Sequence, residues 1–170
     1  MAVNPYIAGL ILLVTALLQN HFLPGFLPGV SQFVPDLVLL VVVSWALLLE
    51  VRLALLTAFA AGVIFDLVAA PQVYPIGLNA FLFCLVALLV SYLGQNPFIS
   101  GNLRSVPVAL LSALVYRMSL LLAERVIGYN NFQPAIIFQV ILPVIVIDAA
   151  LMIVIYGIVR FLSRIKAPRE

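Results

Sequence analysis

Two apolar runs joined by three residues constrain this chain more than any other feature. Residues 34–70 read V-P-D-L-V-L-L-V-V-V-S-W-A-L-L-L-E-V-R and then L-A-L-L-T-A-F-A-A-G-V-I-F-D-L-V-A-A. Each run is long enough to cross most of a bilayer, and the joint Glu50-Val51-Arg52 is so short that the two helices must lie antiparallel and in contact. A Pro-Asp pair opens the first run, and a lone acid, Asp66, sits inside the second. The second run also places Ala54, Ala58, Gly62 and Asp66 at four-residue intervals. Such a row of small residues lets another helix backbone come close.

Two thirds of the 170 residues are hydrophobic (66%) and only 8% are charged, whereas a soluble domain carries about a quarter charged residues. The chain has too little polar surface to face water. Lipid offers backbone groups no partner outside the segment, so the spans must be helical or form a closed barrel. A barrel needs alternating polar and apolar residues in segments of about ten, and the run at 37–43 has no alternation. The expected fold is an all-α integral membrane protein, a single polytopic domain over residues 1–170. A net charge of +2 leaves no electrostatic footprint for nucleic acid. Cys84 and His21 are each the sole residue of their type, which argues against a disulfide framework, a metal site or a bound cofactor.

Turn signals divide the chain into six expected transmembrane helices, at about 5–19, 35–49, 53–70, 78–93, 105–127 and 135–163. Asn4-Pro5 suits a helix start, and the start lacks the basic region and cleavage site of a secretory signal. The tandem Phe22-Leu23-Pro24-Gly25 and Phe26-Leu27-Pro28-Gly29 reads as turns at the membrane interface. Pro143 is expected to kink helix 6. Six spans put both termini on one side, with Arg52, Arg104, Arg160, Arg164, Lys166 and Arg169; the other side has Arg125 alone. By the positive-inside rule both termini are cytoplasmic.

Ionisable residues inside spans are costly, about 2.5–3.5 kcal/mol each at a helix centre on insertion scales, and should face protein or trapped water. Counting from the outer helix ends puts Arg117 ~15 Å deep and Asp148 ~20 Å deep, within reach of one arginine side chain. We therefore expect an Arg117–Asp148 ion pair in mid-membrane. Asp66 and Glu124 fall only ~5–6 Å from the outer ends, level with Arg125, and form an expected outer polar group. Such charges serve either as a relay or ligand site or as bridges that fix helix packing. No nucleophile with a nearby base, glycine-rich phosphate loop or second histidine is present, so no enzyme is expected. Ala54, Ala58, Gly62 and Asp66 are the expected docking surface for a single-span partner helix; the alternative is that they seat helix 2 or helix 5 of the same chain.

The central stretch resembles the MreD family of rod shape-determining membrane proteins. The likeness rests on residues 34–79: Pro35, Leu39 and Leu40 at the start of helix 2, then Trp45, the short turn with Arg52, Gly62-x-x-x-Asp66-Leu67, and Gly77 before helix 4. Elsewhere it is limited to length, span number and Pro143 in the last helix. The resemblance implies a non-enzymatic scaffold in the bacterial cytoplasmic (inner) membrane. Such a scaffold would hold the bitopic protein MreC in the elongation complex, with RodA, a class-B penicillin-binding protein and the actin-like MreB, and would support peptidoglycan synthesis and cell shape. A six-helix protein of this size also resembles the substrate-binding subunits of energy-coupling vitamin transporters, and that alternative lacks an obvious set of polar ligand contacts on the outer side.

Overall fold

The computed structural model of the chain describes residues 5–23, 33–69, 75–94, 105–128 and 137–162. Residues 24–29 of the Pro-Gly repeat, Arg104, Arg164, Lys166 and Arg169 lie outside the described residues, as does the Glu124 side chain; Phe22 and Leu23, expected in a turn, continue the first helix. The described residues build six helices and no strand. They are α1 (Pro5–Leu17, continued by a π-helical turn, Leu18–Phe22), α2 (Leu37–Leu48), α3 (Val51–Val68), α4 (Leu78–Gly94), α5 (Ser105–Ile127) and α6 (Ile137–Leu162).

The centre of the bundle is α2, which touches all five other helices. Every side chain at 38–46 is buried, Trp45 included. A helix that is apolar all round has no face to offer water or a polar neighbour, so it packs in the middle. At 12 residues it is about 18 Å long, well short of a ~30 Å hydrocarbon core. Three helices are long and apolar enough to cross a membrane, namely α3, α5 and α6; α1, α2 and α4 are apolar but shorter.

The joint between α2 and α3 is tighter than expected. The last rung of α2 is Leu49 N–H to Trp45 O, and the first of α3 is Ala54 N–H to Glu50 O. Only Leu49 and Glu50 separate the helices. Helix α3 buries Ala54, Ala58, Ala61, Gly62 and Asp66 and turns Leu56, Phe59 and Leu67 outward, as lipid requires.

The small-residue row is filled from within the chain. The most extensively packed helix pair is α3 with α4, and a Cβ added to Gly62 would collide with the backbone of Ala80, and with the Asn79 carbonyl carbon at 2.7 Å. The row is buried and so is not an open docking surface, and at Gly62 the helix it seats is α4 rather than helix 2 or helix 5. The reason is geometric: the missing Cβ of Gly62 is what allows the start of α4 to lie against α3.

The proline in the last helix stands next to a change of helix type. Pro143 cannot donate to the carbonyl four residues before it, and its ring crowds that carbonyl. The chain runs as a π helix over Ile137–Ile141 and becomes α-helical from Leu142. Wider turns of this kind absorb a lost rung.

Candidate functional site

Each of the six helices brings a polar residue to one level of the bundle: Gln19, Asp36, Asp66, Asn79, the pair Tyr116 and Arg117, and Asp148. The contacts sort these residues into two halves that meet at Tyr116 and Arg117.

The first half is built around the start of α2. A helix begins with backbone N–H groups that no helical carbonyl can satisfy. Asp36, the residue before α2, does not cap it with its own side chain. Other helices do so. Asp36 N–H donates to Asp148 Oδ1 of α6 at 2.9 Å, and Val38 N–H donates to Gln19 Oε1 of α1 at 3.0 Å. The π turn at Leu18–Phe22 carries Gln19, whose Nε2 in turn donates to Asp36 Oδ1 at 3.1 Å. Asp36 Oδ2 is thereby left for Arg117 of α5, in an ion pair of 2.5 Å.

The arginine therefore has a nearer partner than the one expected. Arg117 stands 3.9 Å from Asp148 Oδ2 and 2.5 Å from Asp36 Oδ2. Asp148 is fully buried and uses its other oxygen to cap α2. Two carboxylates face one guanidinium, and both Arg117 Nε and Asp148 Oδ2 lack a hydrogen-bond partner among the described residues. A negative group at a helix N-terminus is favoured by the aligned peptide dipoles, which holds Asp148 at the start of α2.

The second half repeats this logic at the start of α4. Gly77 N–H donates to Asp66 Oδ2 of α3, and Asn79 Nδ2 donates to Asp66 Oδ1, both at 2.7 Å. Tyr116 Oη of α5 donates to Asn79 Oδ1 at 2.8 Å. Below them Phe83 stacks between Tyr116 and Phe65, with ring centroids 5.2 and 6.0 Å away. Gly77 has φ of +101°, a conformation a side chain resists, and this turn aims its N–H at Asp66.

Asp66 is thus not a member of a shallow outer group. It is linked through Asn79 to Tyr116, one residue from Arg117, while Arg125 lies exposed two turns further along α5. The expected depth assumed that all helices end at one level. In fact α5 runs ten residues past Arg117, and α6 begins eleven residues before Asp148. The α5–α6 hairpin extends about 15 Å beyond the layer, whereas α3 ends two residues after Asp66 and α4 starts at it.

Gln19, Asn79 and the pairing role of Asp36 were not anticipated. The available signal was that every apolar segment carries a polar residue whose burial demands a partner. Among the described residues no three His, Cys, Asp or Glu side chains come together as a metal site would need. The layer's side chains bind one another and two helix starts. Such an arrangement orients helices.

An all-helical membrane protein, locked by polar contacts between its helices, is the class that this fold and site define. The chain belongs to the MreD family: the family's sequence model, described as rod shape-determining protein MreD, matches residues 2–166 of the 170. No curated protein and no solved structure matches the chain. The family is a structural one, associated with rod shape determination, and this membership replaces the transporter-subunit alternative. Three of the residues that carry the resemblance now have physical roles. Gly62 admits the backbone of α4, Asp66 caps it, and Gly77 supplies the turn that makes the cap possible.

Proposed function

We propose that this protein is a non-enzymatic scaffold of the bacterial elongation complex, a single six-span domain in the cytoplasmic membrane with both termini in the cytoplasm. Its role is to hold MreC, and through it RodA, a class-B penicillin-binding protein and MreB, at sites of peptidoglycan synthesis. The observation that carries the reading is the family match over nearly the whole chain. The polar layer supports it, because interior side chains engaged with one another give a rigid body on which a partner can be oriented. The row on α3 is closed by α4, so MreC meets a different face of the bundle.

Purification from membranes in mild detergent, with identification of the co-purifying chains, tests the partner. MreC is expected at stoichiometric yield, and its absence from a monodisperse preparation refutes the scaffold reading. For the topology, single cysteines replace Asn131 or Ala167 in a Cys84→Ala background. An impermeant maleimide is expected to label the first from outside intact cells and not the second. External labelling at position 167 refutes the cytoplasmic C-terminus.

A further inference from the structure

Where the start of α2 meets α5 and α6, acids outnumber cations. Asp36 Oδ2 and Asp148 Oδ2 approach the same terminal nitrogen of Arg117, at 2.5 and 3.9 Å. Asp148 is fully buried, and the side chains of Asp36 and Arg117 are only 13% and 17% exposed. With both acids ionised, the trio holds two negative charges against one positive in a region the bundle largely closes off. One arginine neutralises one carboxylate; a second buried carboxylate needs a countercharge or a proton of its own.

The chain has no second cation to bring here. No lysine or arginine precedes Arg52, and between Arg52 and Arg160 the only ones are Arg104, Arg117 and Arg125. Arg125 lies eight residues beyond Arg117 on α5, about 12 Å along the helix. Arg160 lies twelve residues beyond Asp148 on α6, about 18 Å along. Arg104 precedes Ser105, the first residue of α5, which is twelve residues from Arg117. His21, two residues after Gln19 on α1, is exposed.

The other groups around the trio are neutral or engaged elsewhere. Gln19 of α1 donates to Asp36 Oδ1 and accepts from Val38 N–H. Tyr116 of α5 donates to Asn79 of α4, and Asp66 of α3 is held by Gly77 and Asn79. The start of α2 contributes partial positive charge, but a helix end supplies only about half a unit. Asp66 gives the internal contrast. It accepts a bond of 2.7 Å at each oxygen, whereas Asp148 accepts one at Oδ1, and its buried Oδ2 has no hydrogen-bond partner among the described residues.

We propose that Asp36 and Asp148 form a proton-binding site that holds one proton between the two carboxylates beside Arg117. Two like charges brought to one nitrogen repel, and a single proton taken from solvent removes both the repulsion and the excess charge. The proton belongs to the pair rather than to either acid alone. The assignment depends on neither the family role nor the membrane topology.

Infrared spectroscopy of the full-length protein in detergent reads the proton directly, because an un-ionised carboxyl group has a carbonyl stretch that a carboxylate lacks. In deuterated buffer at neutral pH the wild-type protein is expected to show that band, and Asp66→Asn to retain it. Asp36→Asn leaves Asp148 in place, but one acid then faces one guanidinium, so the band is expected to vanish. Asp148→Asn is expected to remove it for the same reason. An acid that serves packing alone would not change its protonation when its neighbour is replaced. Asp148→Glu keeps both acids and is expected to shift the band, which keeps the test decisive if an Asn variant loses its helical circular-dichroism signal. A wild-type spectrum without the band, or a band unmoved in Asp148→Glu, overturns the proposal. So does a band that survives Asp36→Asn or Asp148→Asn in folded protein, or one that is lost in folded Asp66→Asn.

Discussion

The trio Asp36, Arg117 and Asp148 makes a prediction that separates the structure from the simpler pairing expected of the sequence. Replacing Arg117 with Met keeps an unbranched stem and removes the guanidinium. Two buried carboxylates then face each other without a cation, and breaking one side of a buried pair costs about 3–5 kcal/mol. Either acid alone is more dispensable, because the other remains for Arg117. Asp36→Asn and Asp148→Asn keep an acceptor oxygen for Gln19 and for the start of α2, and each is expected to cost less than Arg117→Met. The coupling energies carry the distinction. At a common effective dielectric the Coulomb energy falls as the inverse of distance, so contacts of 2.5 and 3.9 Å should differ by about 1.5-fold. Double-mutant cycles are expected to give about 2–3 kcal/mol between Arg117 and Asp36, and about 1–2 kcal/mol between Arg117 and Asp148. Trp45 is the only tryptophan of the chain and is buried in α2, whose start the trio holds. Its fluorescence during unfolding in mixed detergent micelles therefore reports the free energies required. A larger coupling to Asp148 than to Asp36, or none to either, refutes the arrangement.

Gly62→Ala should force α3 and α4 apart, since the new Cβ meets backbone rather than a yielding side chain; a loss of about 1–3 kcal/mol is expected in the same unfolding assay, and an unchanged stability would contradict the close approach. Gly77→Ala is expected to cost about 1–2 kcal/mol through its positive φ, with the loss falling sharply in an Asp66→Ala background if that turn serves mainly to deliver the N–H. Tyr116→Phe removes a single hydroxyl from Asn79 and should cost about 0.5–1.5 kcal/mol, without loss of the helical circular-dichroism signal.

How much of this could be read from the sequence depends on whether a feature is set along a helix or between helices. The helical class, the six apolar segments and the contact of α2 with α3 follow from composition and from a joint too short to do otherwise. Depth does not follow, because residue counting from helix ends presumes that the ends are level. Here α2 and α4 start well inside the bundle, beside helices that run on for about 15 Å. That offset also explains where the acids stand. A helix that begins among apolar side chains brings unpaired N–H groups into a region without water, and an acid or amide from another helix must meet them. Asp148 meets those of α2, and Asp66 meets those of α4. Each of these two lone aspartates in an apolar run thus marks a helix that starts at its own depth elsewhere in the chain, and Pro35-Asp36 and Gly77-Leu78-Asn79 are the two starts. Arg117 belongs to a different account. Asp36 precedes α2 but directs its carboxylate away from the helix, and a second acid then occupies the capping position. The cation on α5 is what allows two acids to converge on one helix start.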